Sequence, residues 1–300
     1  MCIYYYSVFG LNVESELELP GVPKGNYNSC DLTITEGDVP DNLVEYVEYQ
    51  GNFQYVGNEF LFKSKNSGKF LVKDSDTIIF ERYKNSTYED VRVLLLSVVL
   101  GIVLHKKEKF PLHASAVEHN GKTLLFSGQC GIGKSTLATA FIKRGAKLIS
   151  DDITVIETLG NKFFAAPSFS HIKLWPDSLH ALGFTPTDFE KFRPRLEKRK
   201  MTWDNMREEK AEIYALFFLQ RNNMNKHKIE APSIQDKISL LENNTFRIQH
   251  LKRIGNNQKH FETCCALAKS IPIKRLTYPQ GEFMLDKTID LIINDIKKQN

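Results

Sequence analysis

From Ile3 to Tyr83, apolar and polar positions alternate over short runs, the period of half-buried strands. Ile3 to Phe9, Asp31 to Thr35, Glu59 to Phe62, Lys69 to Lys73 and Thr77 to Tyr83 are the strands this pattern predicts. Asn66-Ser67-Gly68 and Asp74-Ser75-Asp76 supply turns between them. The pattern then changes. Ser86-Thr87-Tyr88-Glu89 has the spacing of a capping box. It opens a helix to about Leu104, apolar on most faces, with Pro111 beyond its end. The apolar run Val93 to Leu104 is too short to span a bilayer and reads as a buried helix.

Beyond this helix, strands and helices intermix. Ala114 to Val117 and Thr123 to Phe126 flank the turn His119-Asn120-Gly121, and Asn-Gly favours a tight hairpin. A helix from Ser135 to Arg144 follows, then strands at Lys147 to Ile149, Thr154 to Thr158, Phe163 to Ala165 and Ala211 to Leu219. Further helices are predicted at Ile234 to Leu241, Phe261 to Ala268 and Met284 to Lys297, with a polar loop at Arg221 to Lys228. The basic run Lys191 to Lys200 reads as a solvated helix face. The expectation is an α/β chain of two domains: a small β-rich domain over 1–88 and a larger domain over 89–300.

The segment Gly128-Gln129-Cys130-Gly131-Ile132-Gly133-Lys134-Ser135 fits the P-loop (Walker A) pattern G-x-x-x-x-G-K-[ST] at every fixed position. Its context is also that of a P-loop: an apolar strand runs into it and a helix leaves it. Glycines let the backbone curl round phosphates, and the loop amides with the helix N-terminus face the anion. Gly128 through Thr136 are therefore the candidate nucleotide-binding residues. Lys134 reaches the outer phosphates and the Ser135 hydroxyl ligates magnesium. ATP with Mg²⁺ is the expected ligand pair. A glycine-rich turn that binds nothing is the bland alternative.

Ser150-Asp151-Asp152 ends the strand after the P-loop helix. Carboxylates there can hold magnesium or accept a proton from an attacking hydroxyl. Adjacent side chains on an extended strand point opposite ways, so the pair divides these tasks unless the backbone turns. His113 gains interest from these companions.

Leu112 to Ile156 resembles the catalytic domain of the HPr kinase/phosphorylase family. The likeness lies in His113, the loop Gly128 to Ser135, and Lys143-Arg144-Gly145-Ala146-Lys147-Leu148-Ile149-Ser150-Asp151-Asp152. It implies a P-loop kinase core of the HPr kinase catalytic-domain type, with Asp152 as proton acceptor, His113 as catalytic-site histidine, Lys134 as phosphate-binding lysine and Ser135 as magnesium ligand. Asp151 joins the magnesium site, and Asp177 falls near the offset of the family's assisting glutamate. Lys198 and Arg199 are candidates to offset charge on the moving phosphoryl group, with Lys173 a weaker one. Val8-Phe9-Gly10-Leu11, Phe70-Leu71-Val72 and Leu112-His113-Ala114-Ser115-Ala116-Val117 resemble a divergent branch encoded with peptide-modification systems, some of whose members phosphorylate precursors of lasso peptides. The late glycine-rich basic loop of the parent family's phosphorylase reaction has no counterpart after Ala211, which implies forward transfer only.

Composition constrains the rest. The chain has 300 residues, 42% hydrophobic and 25% charged, with twenty Phe and eleven Tyr, ample for a core. A formal charge of +4 is too small to imply nucleic acid by itself and suits an acidic ligand or partner. Five scattered cysteines show no metal-ligand spacing and fit a reducing compartment. No signal segment is visible, so a cytoplasmic enzyme without membrane insertion is expected. The expected partner is an acceptor peptide or small protein carrying a serine, and a homo-oligomer is compatible with the family. A small-molecule kinase, a nucleotide hydrolase and a nucleotide-binding regulatory protein stay open as alternatives.

Overall fold

A computed structural model describes the whole chain except Met1, Tyr27, residues 44–51, 194–195, 223–225, 280–283 and 299–300. The protein is a mixed α/β chain in two compact units: 1–111 with 246–260, and 112–245 with 261–300.

The first unit is built on a sheet whose strands lie in the order Tyr4–Val8, Leu11–Ser15, Leu32–Glu36, Thr77–Arg82, Gly68–Lys73, Glu59–Lys63 and Phe53–Val56. Leu11–Ser15 and Phe53–Val56 were not expected from the pattern. The sheet is parallel around Leu32–Glu36 and antiparallel elsewhere. Phe60, Phe70, Phe80, Leu32, Ile34 and Ile78 are buried in it. The expected helix forms as Tyr88–Leu94 and Leu100–Lys106, joined by a π-helical turn at Leu95–Val99. Its capping box sits one residue later than expected: Thr87 caps the helix and Asp90 closes the box. Ser86 is engaged elsewhere, donating to Ser67 O and Tyr83 O. The helix buries Leu95, Val98 and Val99 and packs on strand Gly68–Lys73. Residues 89–111 therefore cluster with the first unit, and the compact division falls near 111 rather than at 88.

In the second unit the P-loop strand Lys122–Ser127 lies between Ala114–His119, antiparallel, and Ala211–Asn222, parallel. The hairpin turn has positive φ at both Asn120 (49°) and Gly121 (74°), the type I′ conformation that Asn-Gly favours. After the P-loop helix Lys134–Lys143, strand Lys147–Ser150 pairs with the far side of Ala114–His119. An antiparallel strand thus stands between the two strands of the crossover. Ile273–Pro279, an unexpected strand, extends the sheet parallel to Ala211–Asn222. Phe126, Phe141 and Phe217 anchor the core under the P-loop, with Phe126 and Phe141 stacked at 5.4 Å.

The basic run forms no helix. Leu196–Thr202 is the central strand of a three-stranded antiparallel sheet with His171–Leu174 and Lys191–Arg193. The helical reading failed because both faces of this strand are largely polar. Only Met201, buried in the core with Ile172 and Leu174, marks the inner face.

Candidate functional site

All the groups described here belong to the second unit. Gly128, Gly131 and Gly133 have φ of 139°, 78° and 112°, which only glycine adopts freely. At Gly128 the approach is close as well, since a Cβ would meet Leu219 O at 2.9 Å. The loop is tied down from outside by Arg221, which donates to Gly131 O at 3.1 Å, and by the Tyr278 hydroxyl, which donates to Ile132 O. Gln129 and Cys130 are exposed at its tip. Beside it opens a cavity of about 780 Å³, walled by Gly128 to Ile132, the strand end Phe218 to Arg221, Asn243, Asn244 and Arg275. Thr136 faces away from the loop and bonds Ser178 at 2.9 Å.

Lys134 is buried under the loop, and its ammonium donates to Gly128 O at 2.9 Å and Gln129 O at 3.0 Å. An ammonium has three hydrogens, so a third donor remains for an anion. Burial lowers the Lys134 pKa, against the raising fields of Cys130, Asp151 and Asp152.

Asp151 is buried and accepts from three donors: Ser115 Oγ at 2.6 Å, Ser135 Oγ at 2.8 Å and the Lys173 backbone N–H at 3.3 Å. The Ser135 hydroxyl and the Asp151 carboxylate thus meet at the start of the P-loop helix. An all-oxygen pair suits a hard cation such as Mg²⁺, which takes one or two protein oxygens and completes its shell with water and phosphate. Among the described residues no group of three or more His, Cys, Asp or Glu is set to hold a metal ion. Asp177, the third expected ligand, is exposed in the first turn of helix Pro176–Ala181 and has no bond to the Ser135–Asp151 pair.

At Asp152 the backbone turns, with φ at 70°. This left-handed conformation, tolerated by aspartate, aims its side chain differently from that of Asp151. The carboxylate pairs with Lys173 Nζ at 3.3 Å and lies 3.5 Å from His113 Nδ1. Burial pushes the Asp152 carboxyl up, but Lys173, His113 and Lys198 outweigh it and hold the pKa below the ordinary aspartate value. His113 is fixed by its own backbone N–H, which donates to Asn244 O at 2.8 Å. Its Nδ1 bonds the Asp152 carbonyl at 2.8 Å. A carbonyl only accepts, so Nδ1 carries the hydrogen. Burial and the nearby Lys134 lower the His113 pKa, against the raising fields of Asp152 and Asp151.

Lys198 and Arg199, expected together, are divided between the two faces of their strand. Lys198 stands over the Trp175 ring, 5.5 Å from its centroid. Arg199 turns to the inner face, toward Phe189 O at 3.4 Å and Glu197 at 3.8 Å. Lys173, the weaker candidate, is the cation in contact with Asp152. Ser115, Arg221 and Tyr278 were missed. Ser115 could have been found from spacing, because it lies two residues from His113.

A strand–glycine loop–helix unit thus faces two carboxylates with different partners, Asp151 on Ser135 and Asp152 on Lys173. Residues 105–173 match the family model described as the HPr Serine kinase C-terminal domain. The matched segment holds His113, the P-loop, both aspartates and Lys173. The chain is also 34% identical over 94 residues to the HPr kinase/phosphorylase of Mycoplasmopsis pulmonis (strain UAB CTIP). That stretch covers 31% of this chain and spans 28% of the length of the curated relative. Among solved structures, the Hpr(Ser) kinase/phosphatase from Coxiella burnetii aligns at 14% identity with a TM-score of 0.35, covering 63% of this chain and 91% of that one.

Proposed function

We propose that this protein is an ATP- and Mg²⁺-dependent kinase that transfers the γ-phosphoryl group to a serine hydroxyl of a peptide or small protein. A ribosomal precursor peptide is the acceptor that the divergent-branch likeness favours. The observation that carries the reading is the division of labour at the aspartate pair. Asp151 is bonded to the P-loop serine, and Asp152 is turned away from it, next to Lys173 and His113. Simple nucleotide binding has no use for the second carboxylate.

In this reading Gly128 to Ser135 and the backbone N–H of Thr136 cradle the phosphates, the Lys134 ammonium reaching the outer ones, and the cavity beside the loop takes the base and ribose. Ser135 and Asp151 hold Mg²⁺, which neutralises phosphate charge when bound. Asp152 accepts the proton of the serine hydroxyl as its oxygen bonds the γ-phosphorus and the bond to the leaving β-phosphate oxygen breaks. ADP and the phosphoserine are the products. His113 holds the Asp152 turn through its carbonyl. Lys173 keeps the carboxylate ionised and aimed, and Lys198 offsets charge on the group in transfer. Among the described residues no helix is long and apolar enough to cross a bilayer.

The test is incubation with radiolabelled ATP and serine peptides, with the label located by fragmentation mass spectrometry. Asp152→Asn should bind Mg-ATP like wild type in calorimetry yet lose transfer by roughly a hundredfold to ten-thousandfold. Lys134→Ala should lose nucleotide binding. Undiminished transfer by Asp152→Asn refutes the proton-acceptor assignment. Label on a free metabolite with every peptide untouched hands the reaction to a small-molecule kinase.

A further inference from the structure

The two faces of the three-stranded sheet differ sharply. Ile172, Leu174 and Met201 point into the core. On the opposite face, alternation places Lys173 on one strand and Lys198 and Lys200 on the next. Lys173 and Lys200 are direct cross-strand partners. Like charges facing each other across a sheet repel, and this pair is therefore destabilising unless a counter-charge sits over it. The nearby acid does not supply one, because Glu197 lies on the other face, paired with Lys191 at 2.6 Å and Arg199 at 3.8 Å. Asp152 is the carboxylate beside this lysine face, and it is bonded to Lys173. Lys198 and Lys200 have no carboxylate partner among the described residues. Trp175, 42% exposed, borders the same face.

The two surplus lysines are placed differently. The field of Lys198 reaches both Lys134 and Asp152, so it lies toward the transferred group. Lys200 acts instead on His171, further along the sheet. An anion at the γ-phosphate answers Lys198 and leaves Lys200 unmatched. Cross-strand Cβ atoms lie about 5 Å apart, and an extended peptide rises about 3.3 Å per residue. An acceptor whose hydroxyl is at Asp152 therefore brings a side chain one to three residues away within reach of Lys200.

We propose that the lysine face of this sheet is the acceptor-docking surface and that it selects an acidic segment, with Lys200 reading a carboxylate close to the target hydroxyl. The proposal rests on the kinase reading above and specifies its substrate class.

Fluorescence anisotropy with the full chain and MgADP tests it. The probes are a short labelled peptide with serine flanked by aspartates, its asparagine counterpart and its lysine counterpart. The aspartate peptide should bind about tenfold tighter than the asparagine one, the yield of a half-buried charge-assisted bond, and the gap should shrink with salt. Lys200→Glu should erase the preference and favour the lysine peptide. Lys200→Gln should erase it without reversal. Unchanged Mg-ATP titration shows that both variants are folded. Equal binding of the three peptides, binding of none, or a preference surviving in Lys200→Glu overturns the proposal. So does a single-stranded RNA that displaces the aspartate peptide with equal affinity, which marks a general anion surface. An acidic peptide that binds but takes no label from ATP sinks the transfer reading and leaves the surface standing. Serine peptides labelled without regard to aspartate do the reverse.

Discussion

Replacing Lys173 with methionine keeps the stem of the side chain and removes its charge. The backbone N–H that holds Asp151 is untouched. The lost interaction is a 3.3 Å ion pair with Asp152. Coulomb's law gives about 5 kcal/mol for that separation at an effective dielectric of 20, and about 1.3 kcal/mol in water. The Asp152 side chain is 34% exposed, so solvent screening brings the value toward the lower figure. A loss of about 1.5–3 kcal/mol raises the carboxyl pKa by roughly one to two pH units. Lys173 lowers this pKa in the folded protein, so its removal moves the titration upward, and the ionised base is lost at a higher pH as the solution is acidified. Titrating ¹³C-labelled aspartate carboxyls by NMR, with the Asp152 signal assigned by its absence in Asp152→Asn, measures this without an acceptor. The acid limb of transfer should shift by the same amount. An Asp152 signal that titrates at the same pH in both proteins refutes the assigned role of Lys173.

Two further outcomes are expected. His250 and His260 in the first unit are buried, with pKa values pushed by burial from 6.5 to about 4. They fold neutral, whereas the unfolded chain takes up their protons below about pH 6.5, so their contribution to stability is flat above that pH. It falls between there and pH 4 by up to roughly 3 kcal/mol per histidine. Urea midpoints measured against pH should follow this course, and a pH-independent midpoint contradicts it. Cys130 is an exposed thiol at the tip of the P-loop, so Mg-ATP should slow its alkylation by maleimide while Cys2 and Cys30 react as before. Equal protection of all three, read by peptide mass spectrometry, removes the loop as the nucleotide site.

The elements most legible in the sequence were those whose chemistry is local. The P-loop needs glycines at fixed places, and Asn120-Gly121 needs positive φ, so both are written in consecutive residues. The aspartate pair was legible as a pair, but the backbone turn that strand alternation left out does occur at Asp152, and it, rather than alternation, accompanies the different partners of the two carboxylates. Long-range partners were not legible. Nothing in the residues around Tyr278 signals that its hydroxyl closes on Ile132. The central strand Leu196–Thr202 was hidden because its charged positions fall on both faces, leaving Met201 as the one buried apolar position to read. That concealment also made Lys198 and Arg199 look like one cationic unit. A strand places neighbours on opposite sides, and the true companions of Lys198 are two residues away and across the ladder.

The neighbouring strand, His171–Leu174, joins the two halves of the site. The backbone N–H of Lys173 holds Asp151, and its ammonium holds Asp152. One residue thus ties the carboxylate bonded to the P-loop serine to the carboxylate proposed as proton acceptor. Phosphoryl transfer demands a fixed spacing between such groups, because the proton acceptor must sit on the far side of the phosphorus from the leaving oxygen. The left-handed turn at Asp152 costs backbone energy in a non-glycine residue, and the His113 bond to the carbonyl at that turn offsets it. Lys173 also pairs across the sheet with Lys200. A segment docked on the lysine face, as proposed, would therefore lie on the strand pair that holds the Asp152 carboxylate. On the proposed reading, recognition of an acceptor and alignment of its hydroxyl would share the single register of these two strands.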